Sequence, residues 1–213
     1  MTPDGTGRGA NGAGQGSGLP AGSHPGLTDP TAAVEQAPER FRARFSTTKG
    51  SFVVQVVRSW APLGADRFYN LVRIGFFDRC KFFRAIEGFM VQFGISAYPE
   101  VSRVWRDATI RDDRVIESNT SGRVTFATAG PDTRTTQLFI NYGDNGRLDA
   151  MGFAPFGEVA EGMEVVKSLY TGYGEGAPSG RGPDQGSIQR RGNPYLEERF
   201  PLLDAVIEAA IEP

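Results

Sequence analysis

Arg84 is the residue of this chain whose surroundings most invite chemistry. It lies in the run Phe82-Phe83-Arg84-Ala85-Ile86-Glu87-Gly88-Phe89-Met90-Val91-Gln92-Phe93. Read as two strands about a tight Glu87-Gly88 turn, alternation puts Phe82, Arg84 and Ile86 on one face and Phe83 and Ala85 on the other. Across the turn, Met90 and Gln92 share a face. A permanently charged guanidinium with several donors and a carboxamide are thus interleaved with Phe and Met on adjacent strands. Two readings compete. Patterning alone favours a surface arginine on an edge strand over a Phe/Met core. The sharper reading is an apolar pocket with one guanidinium and one carboxamide at its rim.

Most other chemistry is closed off by counting. The chain has one His and one Cys. A Ser-His-Asp triad, a Cys-His pair or a zinc site bearing His would have to use His24, which lies in a glycine-rich stretch. A lone Cys80 forms no intrachain disulfide and no thiolate cluster, and reads as a packed thiol. The pairs Asp112-Asp113 and Glu197-Glu198 read as solvated charges rather than ligands. Gly7-Arg8-Gly9-Ala10-Asn11-Gly12 formally matches GxGxxG, but no strand precedes it and no helix-forming stretch follows, so it does not read as a dinucleotide loop. Phosphate-loop and kinase signatures are absent. No metal and no cofactor is expected. A net charge of −2 and a pI of about 5.6 argue against a nucleic-acid binder. No apolar run approaches the roughly 18–20 residues of a membrane span. The start of the chain lacks the apolar stretch of a signal peptide. A cytoplasmic location is therefore expected, with an exported form open if a leader is missing.

The elements that must position Arg84 follow from patterning. The 213 residues allow one domain, or one domain with tails. Residues 1–38 contain no Phe, Trp or Tyr and nine of the first 26 residues are Gly. Such a stretch buries too little apolar surface to offset its ordering entropy, so it reads as a flexible tail before a folded domain spanning 39–213. Phe41, Ala43 and Phe45 alternate with Arg42 and Arg44, and Phe52–Val57 is β-branched. The two read as a hairpin about Thr47-Thr48-Lys49-Gly50. Pro62–Arg73 reads as a helix, with Ala65, Phe68, Leu71 and Val72 on its buried face and Gly75 as its stop. Strands are expected at Phe82–Ile86, Phe89–Phe93, Val124–Thr128, Gln137–Ile140 and Phe156–Val159. Glu161–Tyr170 reads as a second short helix, residues 172–195 as a long loop, and Leu202–Ile211 as a closing strand or equally a helix. Residues 94–118 resemble nothing assignable. Many short strands with two helices suggest a closed or nearly closed β-barrel capped by helices.

Two further constellations complete the pattern. Phe126-Ala127-Thr128-Ala129-Gly130-Pro131 ends a strand, and after a polar loop Gln137-Leu138-Phe139-Ile140 begins another, with Gln137 and Phe139 on one face. Arg147-Leu148-Asp149-Ala150-Met151-Gly152-Phe153-Ala154-Pro155-Phe156-Gly157-Glu158-Val159 follows. With these the chain resembles the cyclophilins, peptidyl-prolyl cis-trans isomerases. Residues 82–92 are similar to the family's F-H-R-V-I-x-G-F-M-x-Q block. Phe126–Pro131 and Gln137–Ile140 are similar to M-A-N-A-G-P and S-Q-F-F-I. Leu148-Asp149 and Phe156–Val159 are similar to L-D and F-G-x-V. The resemblance covers roughly residues 41–171, in order and at near-family spacing.

The resemblance implies a mainly β fold, a closed eight-stranded antiparallel β-barrel capped by two α-helices, and a C-terminal strand at Ala205–Ile211 pairing near Phe41–Phe45. It implies that Arg84 is the catalytic arginine and that Gln92 positions both it and the substrate backbone. Phe89, Met90, Phe139 and Leu148 would wall the proline pocket. Ala127, Thr128 and Gln137 would hold the residues before proline. Three departures stand out. Arg147 takes the place of a frequent Trp, which implies weak cyclosporin affinity. Thr128 replaces Asn. The family's pocket His has no counterpart; Gly152 and Phe153 stand near it, and Phe153 could supply the missing wall. The implied partners are proline-containing peptides and unfolded or flexible protein segments, with no nucleic acid or membrane, and a monomeric chain. Two alternatives stay open: a proline-peptide-binding chaperone or scaffold module with little turnover, and a structural domain tethered by residues 1–38.

Overall fold

A computed structural model describes residues 18–213 of the chain; the Gly7–Gly12 run lies outside the described residues. β1 (Arg40–Thr47) and β2 (Gly50–Val57) form the expected hairpin, with Thr47 opposite Gly50 at its turn. α1 spans Pro62–Arg73, with Pro62 in its first turn. The N–H groups of Leu63 and Gly64 donate to the Asp113 carboxylate at 3.0 and 2.9 Å. A carboxylate from a distant segment thus caps the helix where its backbone donors are otherwise unpaired and its dipole is positive. The same carboxylate pairs with the buried Arg134 at 3.0 Å, and Asp112 stands 3.2 Å from Arg134 Nε. The acidic pair expected to be solvated is instead a structural clasp.

β3 (Arg84–Ile86), β4 (Met90–Phe93), β5 (Arg123–Phe126), β6 (Leu138–Asn141), β7 (Pro155–Glu161) and β8 (Val206–Ile211) complete one eight-stranded antiparallel sheet in the order β3-β4-β6-β5-β7-β2-β1-β8. β8 pairs with β1 from Ala43 to Thr47. The sheet curls into a half-barrel that is open, not the closed barrel the sequence suggested. Its edges, β3 and β8, share no ladder. They are stapled instead by the isolated Lys81–Ala205 bridge and by backbone bonds joining Arg79, Cys80 and Phe82 to Asp204 and Val206. Arg79, whose N–H donates to the Val206 carbonyl, sits at φ 64° in the left-handed region.

β3 is also shorter than expected. Phe82 does not share a face with Arg84 but turns into the core, 5.1 Å from the Phe93 ring. Phe83 joins a separate cluster with Ile95, Ile188, Leu196 and Leu203. Alternation therefore begins only at Arg84. The inward face of the sheet packs on α1 through phenylalanines: Phe45 lies 5.0 Å from Phe52 and 6.0 Å from Phe68, and Phe68 lies 4.9 Å from Phe156. Gly157 admits the close pairing of β7 with β2, because a Cβ there would stand 2.7 Å from the Gln55 carbonyl.

The two expected helices are joined by others. Glu161–Tyr170 contracts to α3 (Met163–Lys167), and α2 (Pro99–Trp105) occupies the stretch that resembled nothing. The expected loop at 172–195 contains α4 (Gln185–Arg191), and α5 (Asn193–Arg199) begins within it. Its turn-like residues are helix punctuation: Asp184 caps α4 by accepting from Ser187 N–H at 2.7 Å, Gly192 at φ 61° separates the helices, and a proline opens α5. Among the described residues no helix is long and apolar enough to cross a membrane.

Residues 18–38, expected to belong to a flexible tail, lie on the body. Leu27, Ala33 and Ala37 are buried in the main core. The indole N–H of the buried Trp105 donates to the carbonyls of Gly26 and Leu27, both at 3.1 Å. Asn70 exchanges hydrogen bonds with the Glu35 backbone, and Ala37 N–H donates to Asp66. The sequence argument counted aromatics within the segment and missed that α1 and α2 supply the apolar partners. Removing residues 1–37 is therefore expected to lower unfolding stability in urea by roughly 2–4 kcal/mol, the scale of one buried leucine plus a buried hydrogen bond. In a Trp60→Phe background it should also shift Trp105 emission to the red. Unchanged stability and emission would mean that the segment covers nothing.

Candidate active site

The outward face of the sheet builds the site by register. Arg84 on β3 stands opposite Gln92 on β4, Gln92 opposite Phe139 on β6, and Phe139 opposite Thr125 on β5. Opposed residues in antiparallel pairs project to the same face, so these side chains form one row across four strands. The neighbouring row of Ala85, Val91, Ile140 and Val124 points the other way, into the core.

The polar part of the outward row is a hydrogen-bonded chain. Arg84 Nη1 donates to Gln92 Oε1 at 3.0 Å, and Gln92 Nε2 donates to Gln137 Oε1 at 2.8 Å. Arg84 Nη1 also lies 3.9 Å from Met90 Sδ. At the opposite side of the guanidinium, Nε and Nη2 donate to the two carboxylate oxygens of Glu175 at 2.6 and 2.7 Å. Hydrogen bonds from Arg84 hold the Glu175 carboxyl below its ordinary range, against a smaller opposing effect of burial. The sign follows: the pair is intact above the ordinary glutamate range and is lost only as pH falls through the lowered folded value.

The apolar part is a satellite cluster of Met90, Phe139 and Leu148, with Ile86, Phe89, Ala127 and Phe153 packed against it. Phe153 meets Phe139 edge to face at 5.6 Å. Asp149 and Asn119 hold this wall. The Asp149 carboxylate accepts from Ser118 Oγ at 2.5 Å and from Asn119 N and Nδ2 at 2.9 and 2.8 Å. Asn119 Nδ2 also donates to the Phe153 carbonyl at 2.8 Å. Desolvation pushes the Asp149 carboxyl up, but these bonds outweigh it and leave it lowered. Arg147 lies over the Phe89 ring with Cζ 4.8 Å from its centroid, filling with a flat cation the place where an aromatic was noted as missing.

Together these residues line one groove of about 480 Å³. It collects Arg84, Gln92, Phe89, Met90, Ala127, Thr128, Gln137, Phe139, Leu148 and Phe153, every side chain singled out from the sequence. Sequence reasoning missed Ala129, Thr133, Thr135, Met151 and Gln185 on the same groove, and Glu175 as the partner of Arg84. Met151, 65% exposed, lies in a motif already in view. Gln185 and Glu175 sit in a stretch whose glycines and prolines masked any signal. Cys80 is fully buried, its thiol pushed well up by desolvation, and His24 caps the turn at Pro25–Leu27 by accepting from Gly26 N–H. Neither borders the groove. Among the described residues no group of three His, Cys, Asp or Glu side chains could hold a metal ion.

Comparison with known proteins supplies the family. The family described as cyclophilin type peptidyl-prolyl cis-trans isomerase/CLD matches residues 42–186. A peptidyl-prolyl cis-trans isomerase of Acinetobacter baylyi is 33% identical over 129 residues, spanning 58% of this chain and 68% of that protein. Peptidyl-prolyl cis-trans isomerase B of Escherichia coli is 30% identical over 133 residues, spanning 59% and 81%. The fold is shared with a Cryptosporidium parvum cyclophilin type peptidyl-prolyl cis-trans isomerase, at a TM-score of 0.60 and 17% identity over 82% of this chain and 98% of that one. A second structure of that protein was determined in the presence of the dipeptide Ala-Pro, at a TM-score of 0.58 and 18% identity over 81% and 99%. With its family match running over most of the length, its isomerase relatives and its cyclophilin fold, the chain belongs to the cyclophilin-type peptidyl-prolyl cis-trans isomerases, enzymes that turn X-Pro peptide bonds.

Proposed function

We propose that Arg84 carries the isomerisation by donating a hydrogen bond to the prolyl nitrogen as the X-Pro bond twists. The observation that carries this reading is the guanidinium held at the mouth of an apolar groove, its Nη1 bonded to Gln92 and 3.9 Å from the Met90 sulfur. Rotation about an X-Pro bond breaks amide resonance against a barrier of ~18–20 kcal/mol. In the twisted state the prolyl nitrogen is no longer conjugated and becomes pyramidal, so its lone pair accepts a hydrogen bond that the planar ground state cannot. A donor fixed there favours the transition state over the ground state, which is what catalysis requires. No covalent bond is made or broken, and no proton needs to be transferred.

The groove supplies the rest. Met90, Phe139, Leu148 and Phe153 would receive the proline ring, with Phe89 at the side. Excluding water strengthens the hydrogen bond. Gln92, Gln137 and the backbone near Ala127 and Thr128 would hold the flanking peptide while the other side turns. The relative solved in the presence of Ala-Pro supports a proline-containing peptide as the occupant. We assign the isomerase domain to residues 39–213, with residues 18–38 as a covering segment.

Arg84→Ala is expected to cut turnover of a short Ala-Pro-Phe peptide about 10²-fold, the size of losing one preorganised donor, with the melting temperature retained. Exchange spectroscopy by NMR measures this directly. Peptide binding that persists without accelerated exchange in the unmodified protein would identify a binding module instead, and full activity of the variant would remove Arg84 from the mechanism. A second expectation concerns pH. Glu175, with its lowered carboxyl, stays ionised between pH 6 and 8. Turnover should therefore be flat over that range to within about twofold. A sigmoid centred near neutral pH would reveal a titrating group absent from this scheme.

A further inference from the structure

We propose that Glu175 is a positioning residue for isomerisation: it clamps the Nε/Nη2 edge of Arg84 and so presents Nη1 to the substrate. The proposal rests on Arg84 being the donor. The clamp is bidentate, at 2.6 and 2.7 Å. Parallel charge-assisted bonds of this kind fix the plane of a guanidinium as well as its position. Arg84 lines the groove, and Glu175 grips the Nε/Nη2 edge of the guanidinium while Gln92 and Met90 lie at Nη1.

Counting donors supports the same assignment. A guanidinium has five N–H groups. Glu175 takes the Nε–H and one on Nη2, and Gln92 takes one on Nη1. Two N–H groups remain, one on Nη2 and one on Nη1, and Nη1 is the nitrogen that stands 3.9 Å from Met90 Sδ, where the apolar cluster begins. Pairing with a carboxylate reduces the net charge of the site. That costs little for this reaction, since twisting an amide moves no proton and creates no full charge. Orientation of the donor matters more than its net field.

The carboxylate is held in place by its own segment. Gly174, the residue before it, bridges Ala85, the residue after Arg84, along the free edge of β3. Gly182 N–H donates to the Glu175 carbonyl at 2.8 Å, and Gly176 N–H donates to Oε1 at 2.8 Å. Tyr173 anchors the arm on the other side, its ring 5.0 Å from Tyr170 and 5.1 Å from Phe200. The turn needs its glycines, because a Cβ at Gly180 would stand 2.3 Å from the Glu175 carbonyl.

Glu175→Gln and Glu175→Ala are to be compared with the unmodified chain and Arg84→Ala, using cis-trans exchange of an Ala-Pro-Phe peptide across a range of concentrations. The expected result is a kcat lowered about tenfold in both Glu175 variants, the effect of a donor less well aligned, with KM within about twofold. Glu175→Asp, one methylene too short for the same clamp, should fall between. The Nε–H resonance of Arg84, assigned by its loss in Arg84→Lys, should be protected from solvent in the unmodified chain and lose protection in Glu175→Gln. The isosteric Gln variant keeps the test decisive if Glu175→Ala does not fold. Unchanged or raised kcat in Glu175→Gln, with Arg84→Ala inactive, overturns the positioning role alone. Full activity in Arg84→Ala overturns the reading on which it rests.

Discussion

Pairing register across β3, β4, β6 and β5 is the constraint from which both the core and the groove follow. In each pair, Arg84 with Gln92, Gln92 with Phe139 and Phe139 with Thr125, opposed residues share a face, and the adjacent Ala85–Val91–Ile140–Val124 row is delivered to the other. A slip of one residue in β3 would put a guanidinium among the phenylalanines and an alanine at the groove. The phenylalanine core opposes that slip with much more apolar surface than the groove holds. The fold thus specifies the site from the inside: what fixes Arg84 on the outward face is mainly the burial of its neighbours.

The wall facing that row comes from a different kind of element and needs a different fastening. Leu148 and Phe153 lie on a 3-10 turn at Gly146–Met151 and just beyond it, with no ladder to hold them. Asp149 and Asn119 do this by hydrogen bonding, tying the turn to the segment before β5. Asn119 is itself fully buried and accepts from Thr125 Oγ1 at 2.8 Å, so the turn is keyed to the strand that carries the row's far end. Buried polar groups of this sort are costly unless every one finds a partner. Here the partners are what set the spacing between the two sides of the groove.

How much of this could be read from the sequence varied with the range of the interactions. Alternation and turn chemistry located every strand that lines the groove, and α1 was expected at the bounds it has, because these signals are local. Phe82 and Phe83 defeated alternation because the backbone before Arg84 is not in the β3–β4 ladder: Lys81 bridges Ala205 and Phe82 N–H donates to the Asp204 carbonyl. Residues 18–38 looked too poor in apolar side chains to order, yet one leucine and two alanines suffice when α1 and the Trp105 indole supply the other half of the contact. The Asp112-Asp113 pair gave no hint of Arg134, which arrives from a later loop. Glycines and prolines between 172 and 195 suggested one long loop, when several of them are helix boundaries and close-approach points.

That last misreading has a physical lesson about where chemistry is placed in an open sheet. β3 is an edge strand of three residues, with β4 on one side and no strand on the other. Edge strands expose unpaired backbone groups and are normally shielded. Here the shielding is done by segments that are not strands: residues 79–82 reach β8 before β3 begins, and the 173–176 arm covers Ala85 beside the arginine. In mid-sheet the ladder itself supplies such a partner, as Glu158 on β7 does for Arg123 on β5 at 2.7 Å. At a short edge covered by an irregular arm, one partner can come from the sheet, Gln92, and the other from the arm, Glu175. On the open edge of β3 the side of Arg84 away from β4 thus takes its partner from a segment that is not a strand.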